Sequence, residues 1–302
     1  MQKVEEVTKS GTLSSQGKLP VSAIVAVRNE EKNLPRCLEA LRDVGEIYIV
    51  DSGSTDGTPE IARAFGAKVV QFHYQGGWPK KRQWAMDNLP LTYDWIFLVD
   101  ADEALTTQLV EEIRHSIARE DVDGYYVSLQ MHFLGRVLRH GDANFWKLAL
   151  FRRGKGRYEC RLRDQNSSMA DMEIHEHVVV DGSTARLTNP LIHHNVESLS
   201  RYIQKHDEYS NWEARVLLQK DQSQTEVPPS LFGTQAQRRR WLKKRFYNVP
   251  GSSVMLFCYR YILRAGFMDG IPGLIYCAFQ AVQMFHTKAK IYELKSRLNS
   301  EK

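Results

Sequence analysis

Short unbroken apolar runs alternate with amphipathic stretches from Val21 onward. The run Val21-Ser-Ala-Ile-Val-Ala-Val27 is brief and rich in β-branched residues, the form of a strand buried on both faces. A helix is expected from about Leu34, with Pro35 in its first turn and Leu38 and Leu41 on one face. Ile47-Tyr-Ile-Val50 reads as a second buried strand that ends at Asp51. The turn Asp51-Ser-Gly-Ser-Thr-Asp-Gly57 leads into a helix with Thr58 as N-cap and Pro59 at its first position. A third strand over Lys68 to Phe72, a helix over Arg82 to Asn88 and a fourth strand over Trp95 to Val99 follow. Beyond Thr106, Leu109, Val110, Ile113 and Ile117 fall at helical spacing. Such alternation implies a parallel, right-handed α/β sheet, whose ligands sit beyond the carboxyl ends of the strands. Asp51 and Asp100 each end an apolar strand, so both are expected to face one crevice.

The pattern then changes. From about Gly124 to His194 the chain reads as strands and loops, with Tyr125, Val127 and Leu129 alternating. A mostly helical region starts near Ser198, and Gln222 to Gly233 reads as a polar linker. This divides the chain into a disordered tail (1–19), an α/β domain (20–221) and a linker with a C-terminal helical region (222–302). The tail is polar without an apolar h-region, unlike a secretory signal. A chain of 302 residues has room for one large domain plus an appendage. Four scattered cysteines, Cys37, Cys160, Cys258 and Cys277, have neither thiolate-zinc spacing nor a disulfide framework, and they fit a reducing, cytoplasmic setting. The net charge of +5 is modest, and no nucleic-acid partner is expected.

The strongest chemical signal is Leu98-Val99-Asp100-Ala101-Asp102-Glu103. Two carboxylates one residue apart at a strand exit can hold Mg²⁺ or Mn²⁺, which bridges to substrate phosphates. The plainer reading is a pair of acids capping the next helix. The second signal is the turn at Asp51, an acid placed to accept hydrogen bonds from a nucleobase or ribose. Its plainer reading is a turn whose Ser and Asp residues serve only the backbone. A dinucleotide site needs a glycine fingerprint after the first strand, and Arg28-Asn29-Glu30-Glu31 stands there instead.

Together, Val25-Ala26-Val27-Arg28-Asn29-Glu30, Ile49 to Thr58 and Val99 to Glu103 resemble the family 2 inverting glycosyltransferases. Within that family the chain is most similar to bacterial lipopolysaccharide-core and exopolysaccharide sugar transferases, over about Val21 to Tyr209. The resemblance implies a GT-A fold, a Rossmann-like mixed sheet flanked by helices. It also implies a UDP-sugar donor and a glycan or lipid-linked glycan acceptor. By the same resemblance Val27, Asn29, Glu30 and Asp51 hold the uridine, and Arg82 lies close to the diphosphate. Asp100-Ala101-Asp102 meets the diphosphate and the metal, with Asp100 and Asp102 as ligands.

An inverting transfer needs a base for the acceptor hydroxyl. The family places an acid where this chain has Met172-Glu173-Ile174-His175-Glu176-His177, a departure from its usual Glu-Asp pattern. Glu176 is the candidate, with Glu173 and Asp171 as rivals; the plainer reading is a structural ion pair. One of His193 and His194, with His194 preferred, is the candidate that completes the metal shell. The same histidines support a rival zinc-dependent hydrolase, which leaves the Asp51 turn and the Asp-x-Asp pair unexplained.

A third possibility is a non-catalytic membrane-associated module. Arg238-Arg-Arg240 and Lys243-Lys-Arg245 flank Trp241 and Leu242, a composition suited to an anionic membrane surface. The apolar stretch Ile271 to Phe285 falls short of the roughly 20 residues of a spanning helix. It is expected to lie on the cytoplasmic face of the plasma membrane or to pack on the catalytic domain.

Overall fold

The computed structural model describes residues 17–161, 171, 173, 176–194, 198–218, 229–232, 235–247 and 249–300. The tail up to residue 16, most of the expected linker, and His175 lie outside the described residues. The first half runs β1 (Leu19–Val27), α1 (Leu34–Ala40), β2 (Val44–Asp51), α2 (Thr58–Ala64), β3 (Lys68–Gln71), α3 (Lys81–Asn88), β4 (Trp95–Asp100), β5 (Glu103–Ala104) and α4 (Thr107–Ser116). These bounds follow the apolar runs closely, with two local corrections. Leu19, expected in the tail, is fully buried as the first residue of β1. Gly57, not Thr58, is the N-cap of α2; the Thr58 hydroxyl instead accepts the Glu30 backbone N–H at 2.8 Å. Thr106 caps α4 by accepting the Leu109 N–H at 3.1 Å.

The strand-rich part comprises β6 (Gly124–Phe133), β7 (Arg136–Val137), β8 (Phe145–Arg152), β9 (Gly156–Tyr158), β10 (Val178–Val180), β11 (Thr184–Arg186) and β12 (Leu191–His194). Among the described residues, one mixed sheet has the order β3-β2-β1-β4-β8-β6-β12-β5, with β7 and β11 also on β6. The first four strands are parallel, as the alternation with helices implies. β8 is antiparallel to both β4 and β6, which makes the whole sheet mixed, as in a GT-A domain. Consequently β6 and its parallel neighbour β12 point the same way as β1 to β4, and all six end at one edge.

Both faces of this sheet are covered. Val21, Ala23, Val25 and Val27 of β1 pack with Phe97 and Val99 beneath α1 and α4. Ile24 joins Val50, Ile96 and Leu98 on the other face, where Ala85 of α3 closes the layer. Strands covered on both sides cannot alternate apolar with polar, hence their unbroken apolar runs.

The remaining helices are α5 (Leu199–Leu218), α6 (Gln235–Phe246), α7 (Ser252–Cys258) and α8 (Gly270–Ser300). A π-helical turn, Tyr259–Leu263, and a 3-10 turn, Gly266–Asp269, connect α7 to α8. Tyr276 and Cys277 of α8 share a core with Met131 and Phe133 of β6 and Tyr202 of α5. Part of the C-terminal region is thus built into the α/β domain. No single helix among the described residues is long and apolar enough to cross a membrane. Ser252–Leu263 and Gly266–Arg297 meet the criterion of length and apolarity only as a pair, with a 71° bend between them.

Candidate active site

The strand ends come together where the strand order reverses. The chain steps outward from β1 to β2 and β3, then returns to β1's other side with β4, leaving a crevice beyond their carboxyl ends. Register aligns Val27 with Asp51 and Ala26 with Asp100. Asp51 and Asp100 therefore end the two strands that flank β1, about 10 Å apart at ordinary strand spacing.

On one side, the loops after β1 and β2 are sewn into a single cradle. Asn29 adopts a left-handed backbone, with φ of 55°. Its N–H donates to the Ser54 hydroxyl at 2.8 Å, and its side-chain oxygen accepts the Thr55 N–H at 2.8 Å. Asp51 is buried, and its carboxylate accepts the Ser54 hydroxyl at 2.5 Å and the Gln71 amide at 2.9 Å. The Glu30 carboxylate accepts from Asn33 at 2.8 Å and from Arg201 of α5 at 2.9 Å, with Lys205 at 3.4 Å. Val27 contributes only its carbonyl, which accepts from Lys81 Nζ at 2.9 Å; its side chain belongs to the core.

On the other side lies the Asp-x-Asp segment. Ala101 is buried in the core between the two acids, so any ligand contact it makes comes from its backbone. Asp100 forms an ion pair with Arg82, whose Nη1 also donates to the Glu173 carbonyl at 2.8 Å. Lys147 Nζ, on β8, lies 3.6 Å from Asp100 and 2.6 Å from both oxygens of the buried Glu103. Burial opposes the Asp100 charge, yet Arg82 and Lys147 outweigh it and hold that carboxyl well below the usual range. Burial, helped by the Asp100 charge, pushes Glu103 up to about 7 despite Lys147. Burial likewise disfavours the Lys205 ammonium, but Asp102 and Glu30 together raise its pKa. Arg82, Lys147 and Lys205 thus place three cations around the acidic pair.

The histidine whose ring meets the Asp102 carboxylate is His193; the preferred candidate, His194, meets Asp102 through its backbone N–H, which donates to the Asp102 carbonyl at 2.8 Å. His193 Nδ1 is buried without a hydrogen bond, 3.4 Å from Asp102 Oδ1. Neighbouring strand residues face opposite ways, and the His194 ring lies against His132, with centroids 4.8 Å apart and the planes tilted by 50°. Burial, reinforced by the Arg36 charge, pushes His194 down to about 4. No three His, Cys, Asp or Glu side chains converge among the described residues, as a zinc hydrolase would need. Mg²⁺ asks for less, since one or two carboxylates and substrate phosphates commonly hold it. The Asp102 carboxylate fits that smaller donor set, and the buried His193 nitrogen 3.4 Å from it is a second donor suited to Mn²⁺.

The three candidate bases separate sharply. Glu173 caps α3, accepting the backbone N–H groups of Arg82 at 3.2 Å and Gln83 at 2.9 Å. Asp171 lies 3.1 Å from Lys81 Nζ. Glu176 and Lys80 are both fully enclosed, 3.4 Å apart, and Lys80 also lies over the Trp212 ring. Sequence reading missed Lys147, Lys205, Arg201 and Lys80. Lys147, Lys205 and Arg201 are lone cations outside any motif, brought in by β8 and α5; Lys80 stands beside Lys81 and Arg82 in the chain, and only packing shows that it is buried against Glu176.

The model of Glycosyl transferase family 2 matches residues 22–172. The lipopolysaccharide core biosynthesis glycosyltransferase LpsC of Rhizobium meliloti is 30% identical over 93% of this chain and 96% of its own. An uncharacterized glycosyltransferase of Rickettsia typhi is 24% identical over 92% of this chain and 89% of its own. Glucosyl-3-phosphoglycerate synthase from Mycobacterium tuberculosis, solved with Mn²⁺, UDP and glucosyl-3-phosphoglycerate, aligns at 19% identity and a TM-score of 0.30. That alignment covers 38% of this chain and 44% of the solved one, an overlap too small to argue from. On the family match and the near full-length similarity to LpsC, the chain belongs to glycosyl transferase family 2.

Proposed function

We propose that this glycosyltransferase moves a hexosyl group from a UDP-sugar, with inversion, to a hydroxyl of a glycan or lipid-linked glycan in lipopolysaccharide-core or related polysaccharide assembly. The observation that carries the reading is the crevice at the strand-order reversal, with Asp51 on one flank and Asp100 and Asp102 on the other. The cradle of Asn29, Glu30 and Asp51 suits a nucleoside, and the cations beside Asp100 suit a diphosphate. The lipopolysaccharide assignment follows the name of the Rhizobium relative.

In such a transfer the acceptor oxygen forms its bond to the anomeric carbon as the bond from that carbon to the diphosphate breaks. Negative charge collects on UDP, where Arg82, Lys147 and Lys205 stand ready to take it. A divalent Mg²⁺ or Mn²⁺ held at the Asp100–Asp102 segment, by one or two of its carboxylates and the substrate phosphates, would neutralise diphosphate charge. The acceptor's proton goes to Glu176, since Glu173 is committed to capping α3. Glu176 is enclosed beside Lys80, so this role requires the acceptor to open that segment. Work at the cytoplasmic face of the plasma membrane suits an acceptor carried on lipid.

Thermal shift tests the reading directly. UDP with Mn²⁺ at a hundredfold excess over Kd should stabilise the protein by about 2.7 kcal/mol. Asp102→Ala should lose the metal-dependent part of that shift while its unliganded Tm stays unchanged. Should UDP and Mn²⁺ leave the wild type unshifted at every concentration, the UDP-sugar assignment is wrong.

A further inference from the structure

The turn from α7 into α8 presents large apolar side chains to solvent. Leu263 is 77% exposed, Ile271 72%, Ile262 58% and Phe267 52%. Monomeric proteins rarely leave so many bulky apolar groups together without a use for them. The turn is not a frayed end. A Cβ on Gly273 would meet the Gly266 carbonyl oxygen at 2.2 Å, and one on Gly266 would meet the Arg260 carbonyl oxygen at 2.9 Å, so both glycines let the backbones close. Asp269 accepts the backbone N–H groups of Arg139 at 3.0 Å and His140 at 2.8 Å. Arg260 donates to the Gly141 carbonyl at 2.9 Å. These bonds clamp the elbow to the segment just beyond β7. Leu138 in that segment bonds back to Met131 near the end of β6, at the edge where Asp100 and His193 also lie.

The surroundings of the elbow are basic. Arg136 donates to the Met268 carbonyl at 3.4 Å, Arg139 is exposed, and Arg264 is half-exposed 3.8 Å from Asp142. An apolar tip rimmed by guanidinium groups matches the layering of a bilayer, acyl chains beneath phosphates. It matches a second copy poorly. A two-fold contact would bring the same patches, and so like charges, together. The basic helix α6 is the weaker candidate, because Arg240 turns inward to pair with the buried Glu159. The side chains of Arg239, Lys243 and Lys244 lie outside the described residues.

We infer that the elbow between α7 and α8 docks into the interfacial layer of an anionic phospholipid bilayer, turning the carboxyl edge of the sheet toward the membrane. The acceptor then reaches the crevice from the bilayer surface, which rests on the transfer reading above; the docking surface itself does not.

Flotation of the full chain with vesicles tests this, using phosphatidylcholine alone and phosphatidylcholine mixed with phosphatidylglycerol. The wild type should float with the mixed vesicles. Leu263→Ser, Phe267→Ser and Ile271→Ser combined should cut the bound fraction at least about tenfold. Combining Arg136→Gln, Arg139→Gln and Arg264→Gln should weaken binding by about fivefold per charge and flatten its salt dependence. Unchanged flotation of the apolar variant overturns the inference. So does a wild type that stays unbound yet sediments as a dimer that the apolar variant dissolves, since the patch is then a subunit contact. Thermal shift with UDP and Mn²⁺, run on the same variants, separates the two readings. A wild type that floats but does not bind UDP loses the transfer reading and keeps the elbow.

Discussion

At the residue scale, Glu176 poses the sharpest question. A base must take a proton, yet this carboxylate is enclosed beside an ammonium, the arrangement of a structural ion pair. Glu176→Gln should lower turnover by roughly 10²–10⁴-fold with UDP affinity unchanged if the residue is the base. If it serves the fold, the same change leaves the buried Lys80 poorly compensated, a loss of about 3–5 kcal/mol read as a fall in Tm. Adding Lys80→Met separates these outcomes. Turnover restored together with Tm removes Glu176 from the chemistry and passes the role to Asp171. That Glu176 is a candidate base could be read from the chain; that its partner is Lys80 could not. The two are 96 residues apart in number, and only packing joins them.

At the scale of elements, the amino-terminal sheet depends on a polar anchor within its apolar strands. Glu46 of β2 accepts the Ser22 hydroxyl at 2.6 Å, Lys68 Nζ at 2.8 Å and the Thr92 N–H at 2.6 Å. Its burial opposes the charge, but these donors, Lys68 foremost, hold its carboxyl down at about 2. A depressed pKa means stability that is fully present above the ordinary carboxylate value near 4.5 and is lost as pH falls toward 2. Glu46→Gln should therefore cost about 1–3 kcal/mol at neutral pH. In denaturant melts the gap between variant and wild type should close as pH drops from 4.5 toward 2. A gap that is constant with pH would mean that shape and not charge is at stake.

For the whole molecule, the C-terminal helices act as part of one fold. Phe133 of β6 meets Tyr202 and Tyr276 edge-on, each at 5.7 Å, and Lys290 of α8 bonds Asp207 of α5 at 2.6 Å. Removing residues 248–302 should uncover Met131, Phe133 and Tyr202, and the remaining chain should lose its sharp thermal transition. A truncated protein that melts cooperatively at the wild-type Tm would make the region a detachable appendage, as its composition alone suggests.

Local pattern was enough to define the first half of the chain. Strands covered on both faces must be apolar throughout, and the residues that end them are the first free to be polar, so Asp51, Asp100 and Asp102 announce themselves. The order and spacing of those ends carried the family. What needed the tertiary structure is everything that depends on which distant segments meet. The cations around the Asp100–Asp102 pair come from α3, β8 and α5. His193 rather than His194 faces Asp102 because β12 pairs with β5 in one register, and a shift of one residue would exchange their faces. The apolar residues of α7 and α8 likewise show no sign in the chain of which will pack and which will stay exposed. Pairing and packing choose between them, and those choices are made only when the whole sheet has closed.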